Sequence, residues 1–197
     1  MAKNEAIKDS GSMQEFSTGC HRDASTSAKG DCSLIPLEYA AIVMNNEPVI
    51  ANIALFMESR ETKYLVYALQ RSLDTIPAFR YDEILSEMRE RGIEMREFEN
   101  DDEKRTACYS HMMLEVARTY FDGSILYQRH NWKLGMPVNR LLDSGTRHYW
   151  KTLRGDIDEP HYRQFVWNML CAMWTADNLP EMNFKEEPKR PEKQESN

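Results

Sequence analysis

The sequence predicts an all-α fold: a compact helical bundle with an irregular N-terminal arm and a helical insertion. Three observations carry this reading. Glycine is sparse, 8 among 197 residues, so few positions favour breaking a helix. No long alternation of β-branched and polar residues, the mark of a half-buried strand, runs anywhere in the chain. Pro48, Pro77, Pro137 and Pro160 stand where helix-like segments start or break.

The elements follow in order. Residues 1–33 are rich in Ser, Thr, Gly and Asp and read as a loop or partly ordered arm. Helices are predicted over 36–45, 47–59, 61–73, 79–91, 103–121, 137–153 and 160–177. The acidic stretch 82–103 reads as a solvated helix face followed by a connector, and 123–135 as a loop between Gly123 and Gly135. The body, 34–180, forms one domain, with about 49–103 inserted into it. Residues 181–197 end in the charged, proline-broken run KEEPKRPEKQESN, a composition that cannot bury a core and predicts a disordered tail.

Composition narrows the function classes. The chain is acidic, with a formal net charge of -7. That argues against long nucleic acid, whose affinity rests on neutralising phosphates, and leaves room for a small anionic ligand in a local cationic pocket. No apolar run approaches the roughly 20 residues of a membrane span, and the first residues carry no signal-peptide core. A cytoplasmic protein is expected. Cys20, Cys32, Cys108 and Cys171 are scattered without a CxxC pair, so free thiols are predicted rather than zinc or a disulfide frame.

One segment opposes the global charge. Between Arg129 and Arg154 stand six cations (Arg129, Lys133, Arg140, Arg147, Lys151 and Arg154) and one acid, Asp143. A local field of the opposite sign points first to an anionic ligand. Asp143 and Arg147 also fit a helical i,i+4 ion pair on the solvent face. Trp132 reads either as core or as a stacking surface for a base, since His130, Asn131 and Lys133 flank it.

Segment 161–177 is apolar nearly all round, which marks a buried helix. Yet His161, Gln164, Asn168, Cys171 and Thr175 fall at spacings of three and four, on one stripe. Unpaired buried polar groups cost about 1–3 kcal/mol each. The stripe is therefore either an inter-helix hydrogen-bond network or the wall of a binding site. Just upstream, GDIDEPH offers Asp156, Asp158, Glu159 and His161 as oxygen and nitrogen ligands for Mg²⁺. The same residues make a good helix start, with Asp158 as N-cap, Glu159 in the first turn and Pro160 beside them.

Five motifs in one order carry a resemblance: FSTGCHRD at 16–23, KGDCSLIP at 29–36, LYQRHNWKLGMP at 126–137, LLDSGTRHYW at 141–150 and GDIDEPHYRQFVWN at 155–168. Together they resemble a phage-encoded family of dATP/dGTP diphosphohydrolases of the N-terminal domain type. The resemblance implies a mainly helical fold, a purine deoxynucleotide ligand and a setting in the cytoplasm of an infected bacterial host. It implies nucleotide binding by Thr18, Gly19, Arg22, Asp23, Lys29, Asn131, Trp132, Lys133, Arg147 and Asn168, to which the cationic segment itself adds Arg129 and His130 as candidates. It implies catalysis by Asp158, Glu159, His161 and His148, with Asp158, Glu159 and His161 holding Mg²⁺ or Mn²⁺. Three positions depart from the family pattern: Pro160 stands where it has an acid, Asp31 where it has an arginine, and His130 precedes Asn131.

The expected activity is hydrolysis of purine (d)NTPs to the monophosphate and pyrophosphate. The alternative is a non-enzymatic sponge that sequesters a signal nucleotide of host defence, and whether the protein is an enzyme or a homo-oligomer stays open. MazG-like carboxylate pairs are matched by Glu58 with Glu61 and Glu99 with Asp102, matches that chance supplies in a chain with 32 acids. No His-Asp dipeptide, P-loop, GxGxxG or GxSxG occurs.

Overall fold

The computed structural model describes residues 13–15, 18–23, 32–74 and 80–183. The predicted charged tail lies almost wholly outside them. Seven helices make up the body: α1 (Leu37–Val43), α2 (Pro48–Ser59), α3 (Lys63–Asp74), α4 (Arg80–Glu90), α5 (Asp101–Leu126), α6 (Val138–Arg154) and α7 (His161–Asn178). The arm contributes a small antiparallel hairpin of β1 (Met13–Glu15) and β2 (His21–Asp23), with Gln14 opposite Arg22. The all-α expectation holds, and six of the seven predicted helices match within about two residues. The exception is α5, which continues through Gly123 to Leu126, where the sequence reading placed a loop.

Local chemistry explains several boundaries. Pro48 begins α2, and Glu47 before it accepts a hydrogen bond from the Ile50 N–H at 2.8 Å, satisfying an orphan donor of the first turn. Asn100 caps α5 in the same way through the Glu103 N–H at 3.0 Å, with Asp101, Asp102 and Glu103 in the first turn, where acids suit the helix dipole. Arg60 ends α2 and Gly155 ends α6, both in the left-handed region.

The core centres on α7, which packs against α3, α5 and α6. Its principal partner is α6, running antiparallel. Tyr149 stacks on Phe165 with ring centroids 5.0 Å apart, and Leu141, Leu142, Phe165 and Met169 are fully buried. The two helices approach closely at Gly145: a Cβ there would come within 2.3 Å of Met169 Cε and 3.2 Å of Asn168 Cβ. A single carboxylate ties α2 to this pair. Glu47 caps α2 with one oxygen and accepts the Tyr149 hydroxyl at 2.6 Å with the other. Helix α4 forms a separate small core with the start of α5, through Tyr81, Leu85, Met88 and Cys108. No helix among the described residues is long and apolar enough to cross a membrane. All four cysteines are free thiols and buried.

Candidate metal centre

At the junction of α6 and α7, three side chains converge. His148 lies in the last two turns of α6, Glu159 in the connector, and His161 opens α7. His148 Nδ1 stands 3.0 Å from His161 Nδ1. Glu159 Oε1 stands 3.3 Å from His161 Nδ1 and 3.6 Å from His148 Nδ1. The His161 side chain is 1% exposed. Its other nitrogen, Nε2, meets Asp158 Oδ1 at 2.7 Å.

This donor set fits one metal ion. Two ligands each about 2.1 Å from an ion lie about 3.0 Å apart at a right angle and about 3.4 Å apart at a tetrahedral angle. Two of the three spacings fall in that range, and the third, 3.6 Å, is slightly wider. The protonation logic agrees. With His161 Nε2–H donating to Asp158, the neutral ring keeps its lone pair on Nδ1, facing His148 and Glu159. A carboxylate behind a ligating imidazole is the usual way a protein fixes ring orientation and raises ligand basicity. The Asp158 carboxyl is held below its ordinary range, first by the His161 hydrogen bond and then by the Lys151 charge, whose Nζ lies 3.7 Å from Asp158 Oδ2.

A second grouping, Asp156 with Asp158 and His161, also brings ligand atoms within 4.8 Å of one another. Asp156 is already committed to Arg154, whose Nε donates to it at 2.6 Å. That hydrogen bond holds the Asp156 carboxyl low. Glu58, Glu61, Glu99 and Asp102 belong to no such grouping among the described residues.

A helix does start here beside Pro160, as expected, but later than Asp158 as N-cap would place it. The residue before α7 is Pro160, and no side chain caps the helix. Asp158 meets His161 Nε2 with its carboxylate and is not the residue at the N-cap position.

Of the cationic segment, Lys151 lies beside the triad, whereas Arg147 turns to Asp143. Asp143, expected on the solvent face, is 2% exposed. Arg147 Nη2 reaches both its oxygens at 2.5 Å, and the Cys32 N–H donates to Oδ1 at 2.5 Å. Asp143 faces inward because the arm crosses α6 at residues 32–34 and covers it. The pair therefore pins the arm to α6.

Residues 129–133 lie at the opposite end of the α6–α7 pair. Trp132 meets Tyr120 edge-on at 5.5 Å and Trp174 edge-on at 5.2 Å. Trp174 is thirteen residues beyond His161 on α7, about 20 Å along the axis. Lys133 Nζ lies 5.4 Å over the Trp132 ring. Asn131 is buried and donates to Cys20 Sγ at 3.5 Å. His130 takes a left-handed conformation before the turn at 131–134, and Arg129 is exposed.

The arm docks at this same end. Thr18 Oγ1 donates to the Gly135 carbonyl at 2.9 Å, and Gly19 adopts φ +78° beside it. Arg22 and Asp23 fall on β2, while Lys29 lies outside the described residues. Asn168 sits between the two ends, 1% exposed, with its amide donating to the Gln164 carbonyl at 2.8 Å.

Sequence reasoning missed Asp143 as a buried anchor, Cys32 as its backbone partner and the Glu47–Tyr149 link. All three join residues about a hundred positions apart, and no local spacing signals such contacts.

The fold and the junction define a class: an all-helical protein with a His/His/Glu cluster of metal-ligand geometry at a helix–helix junction. Residues 96–185 match the family model described as dATP/dGTP diphosphohydrolase, N-terminal. The match spans α5, α6, α7 and the whole triad, and it contains the motifs at 126–137, 141–150 and 155–168. The motifs at 16–23 and 29–36 precede it. Neither the curated proteins nor the solved structures contain a match to the chain.

Proposed function

We propose that the α6–α7 junction is a metal-centred site at which a purine deoxynucleoside triphosphate is hydrolysed to the monophosphate and pyrophosphate. The observation that supports this most is the triangle of His148 Nδ1, His161 Nδ1 and Glu159 Oε1, with sides of 3.0, 3.3 and 3.6 Å. The nucleotide class comes from the family description, dATP/dGTP diphosphohydrolase.

In this reading His148, His161 and Glu159 hold a divalent ion. Such an ion supplies neutralising charge on phosphoryl oxygens and makes a nearby water more acidic. Asp158, by accepting from His161 Nε2–H, leaves the Nδ1 lone pair to the ion. Lys151, on the rim, adds positive charge beside Asp158. Two imidazoles with one carboxylate suit Mn²⁺ or a later divalent metal better than Mg²⁺, which prefers oxygen ligands and sheds water reluctantly. Of the two expected ions, the donor set favours Mn²⁺.

The test is turnover of dATP and dGTP across Mg²⁺, Mn²⁺ and metal-free conditions, with phosphate products resolved. Metal-dependent release of pyrophosphate, strongest with Mn²⁺, is expected. Release of single phosphate, or turnover indifferent to chelator, overturns the reading.

One observation favours a second reading. Pro160 stands where the related family has an acid, and a site short of a carboxylate suits holding a nucleotide better than cleaving it. Under that reading the protein is a nucleotide sponge acting against host defence in a phage-infected cell. Wild-type protein would then bind a nucleotide tightly and return it unchanged on denaturation.

A further inference from the structure

Arg163 occupies the first turn of α7 and is 8% exposed. A guanidinium cannot shed its charge inside a protein, so its donors need partners. Its nearest carboxylate is Glu115 Oε2 on α5, 3.6 Å from Nη1, beyond hydrogen-bond range. Glu115 is itself already paired with Arg118 at 2.7 Å. The Nε and Nη2 atoms of Arg163 are buried and make no hydrogen bond. These two N–H groups form one edge of the guanidinium, the edge that grips two oxygens of a carboxylate or phosphate side by side.

The surroundings repeat the pattern. The start of α7 has no side-chain cap and no acid in its first turn. A cation placed there opposes the helix dipole, and the first N–H groups have no intrahelical partner. One turn on, Trp167 Nε1 is buried without a partner, as is Thr119 Oγ1 on the facing helix α5. Helical side chains lean toward the N-terminus, so Trp167 covers the turn from which Arg163 departs. Tyr120, next to Thr119, lies 5.9 Å from the Trp167 ring, which puts Thr119 on the same α5–α7 seam. The unsatisfied groups can all donate, and what they lack in common is an acceptor.

We infer that the start of α7, between α5 and α7, binds an oxyanion of the phosphate type on the Nε/Nη2 edge of Arg163. A bound phosphate group would satisfy the two buried N–H groups of the guanidinium, occupy the positive end of the helix dipole and add to the compensating charge that Glu115 supplies from 3.6 Å. The source is either a phosphate of a nucleotide or free inorganic phosphate. This site stands on different side chains from the triad and does not depend on it.

The experiment measures inorganic phosphate binding and melting temperature at constant ionic strength, in wild type, Arg163→Met, Arg163→Lys and His148→Ala. Wild type is expected to be stabilised as phosphate rises, by mass action. Arg163→Met replaces a buried charge with an apolar side chain of similar length. Without phosphate it should melt at or above the wild-type temperature, and its response to phosphate should vanish. Arg163→Lys should bind phosphate at least about 10-fold more weakly, because an ammonium lacks the two-pronged edge.

His148→Ala, which dismantles the metal triad, should keep the full phosphate response, so the two readings fail separately. If dATP displaces phosphate, and does so only with Arg163 present, the nucleotide is the source; if both bind together, the ligand is free phosphate. A wild type indifferent to phosphate overturns the inference. So does an unchanged phosphate affinity in Arg163→Lys, a measurement that stands even if Arg163→Met does not fold.

Discussion

The two ends of the α6–α7 pair are built from opposite materials. At one end, His148, Glu159, His161 and Asp158 gather nitrogen and oxygen lone pairs within a few ångströms, and the Asp158 carboxyl is driven down by its hydrogen bond from His161. At the other, Tyr120, Trp132 and Trp174 pack edge to face, and burial drives the Tyr120 hydroxyl far above its ordinary value. The same two helices thus carry a polar junction that stabilises charge and an apolar one that forbids it. The contrast separates in space residues that the sequence reading had gathered into one pocket: the side chains at the helix junction, and the contacts of the arm where Thr18 and Cys20 meet residues 131–135.

The largest effect should come from the polar end. Glu159→Gln and His148→Ala each remove a donor from a set of three, and Mn²⁺ affinity measured by calorimetry should fall at least about 100-fold, beyond the usual cost of disturbing an outer partner. Turnover of dATP should disappear with it. Retained metal affinity in both variants would break the comparison at its stronger side.

Next is the pin between arm and helix. Asp143→Ala removes the buried carboxylate that Arg147 and the Cys32 N–H share, and breaking a buried pair in this way should cost about 3–5 kcal/mol in urea denaturation. Exchanging the exposed Arg154–Asp156 pair for alanines should leave the denaturation midpoint nearly unmoved, as solvent-screened pairs do.

At the apolar end, Trp132→Leu should lower stability by about 1–3 kcal/mol through lost aromatic contacts, while nucleotide and metal affinities stay within about twofold. An intact melting temperature with a ten-fold loss of nucleotide affinity would move base recognition to this end and redraw the division.

The smallest effect is spectroscopic. Burial raises the hydroxyls of Tyr120 and Tyr149, and Tyr109 and Tyr162 are pushed up to about 12. Raised values mean that the protonated form is preferred in the folded state. Their stabilising contribution is whole below the unfolded value near 10 and fades as pH climbs above it. An alkaline absorbance titration should therefore show these four among the nine tyrosines ionising late, together with unfolding. Four early titrations would mean that the seams around α5 and α7 are wet.

Much of the fold was readable because its punctuation is local. Pro48, Pro137 and Pro160 each stand within a residue of a helix start. Gly123 misled for a physical reason: a glycine within a long helix costs only about 1 kcal/mol, and the α5 hydrogen bonds run on through it, with the Tyr127 N–H donating to the Gly123 carbonyl at 3.0 Å. The candidate site was half readable. Glu159 and His161 are neighbours in sequence, so their partnership is visible in GDIDEPH, and the resemblance supplied His148. The pairing of Asp143 with Arg147 was also visible as spacing, but its burial was not, because the covering group is the backbone of Cys32, 111 residues away. The distance between Trp132 and the triad depends on which turn of α7 each end meets, and no motif encodes that.

Gly145 gives the molecule a gauge. A methyl group at this position would press on Met169 Cε, which can swing aside, and on Asn168 Cβ at 3.2 Å, which is fixed to the backbone. Gly145→Ala would act as a shim of a few tenths of an ångström between the helices, one turn from His148. The gap between the two imidazoles is set by that crossing, and ions differ in radius by similar amounts. In the proposed metal site, a change too small to trouble the fold would therefore alter the gap that an ion has to fill, and with it which ion fits best.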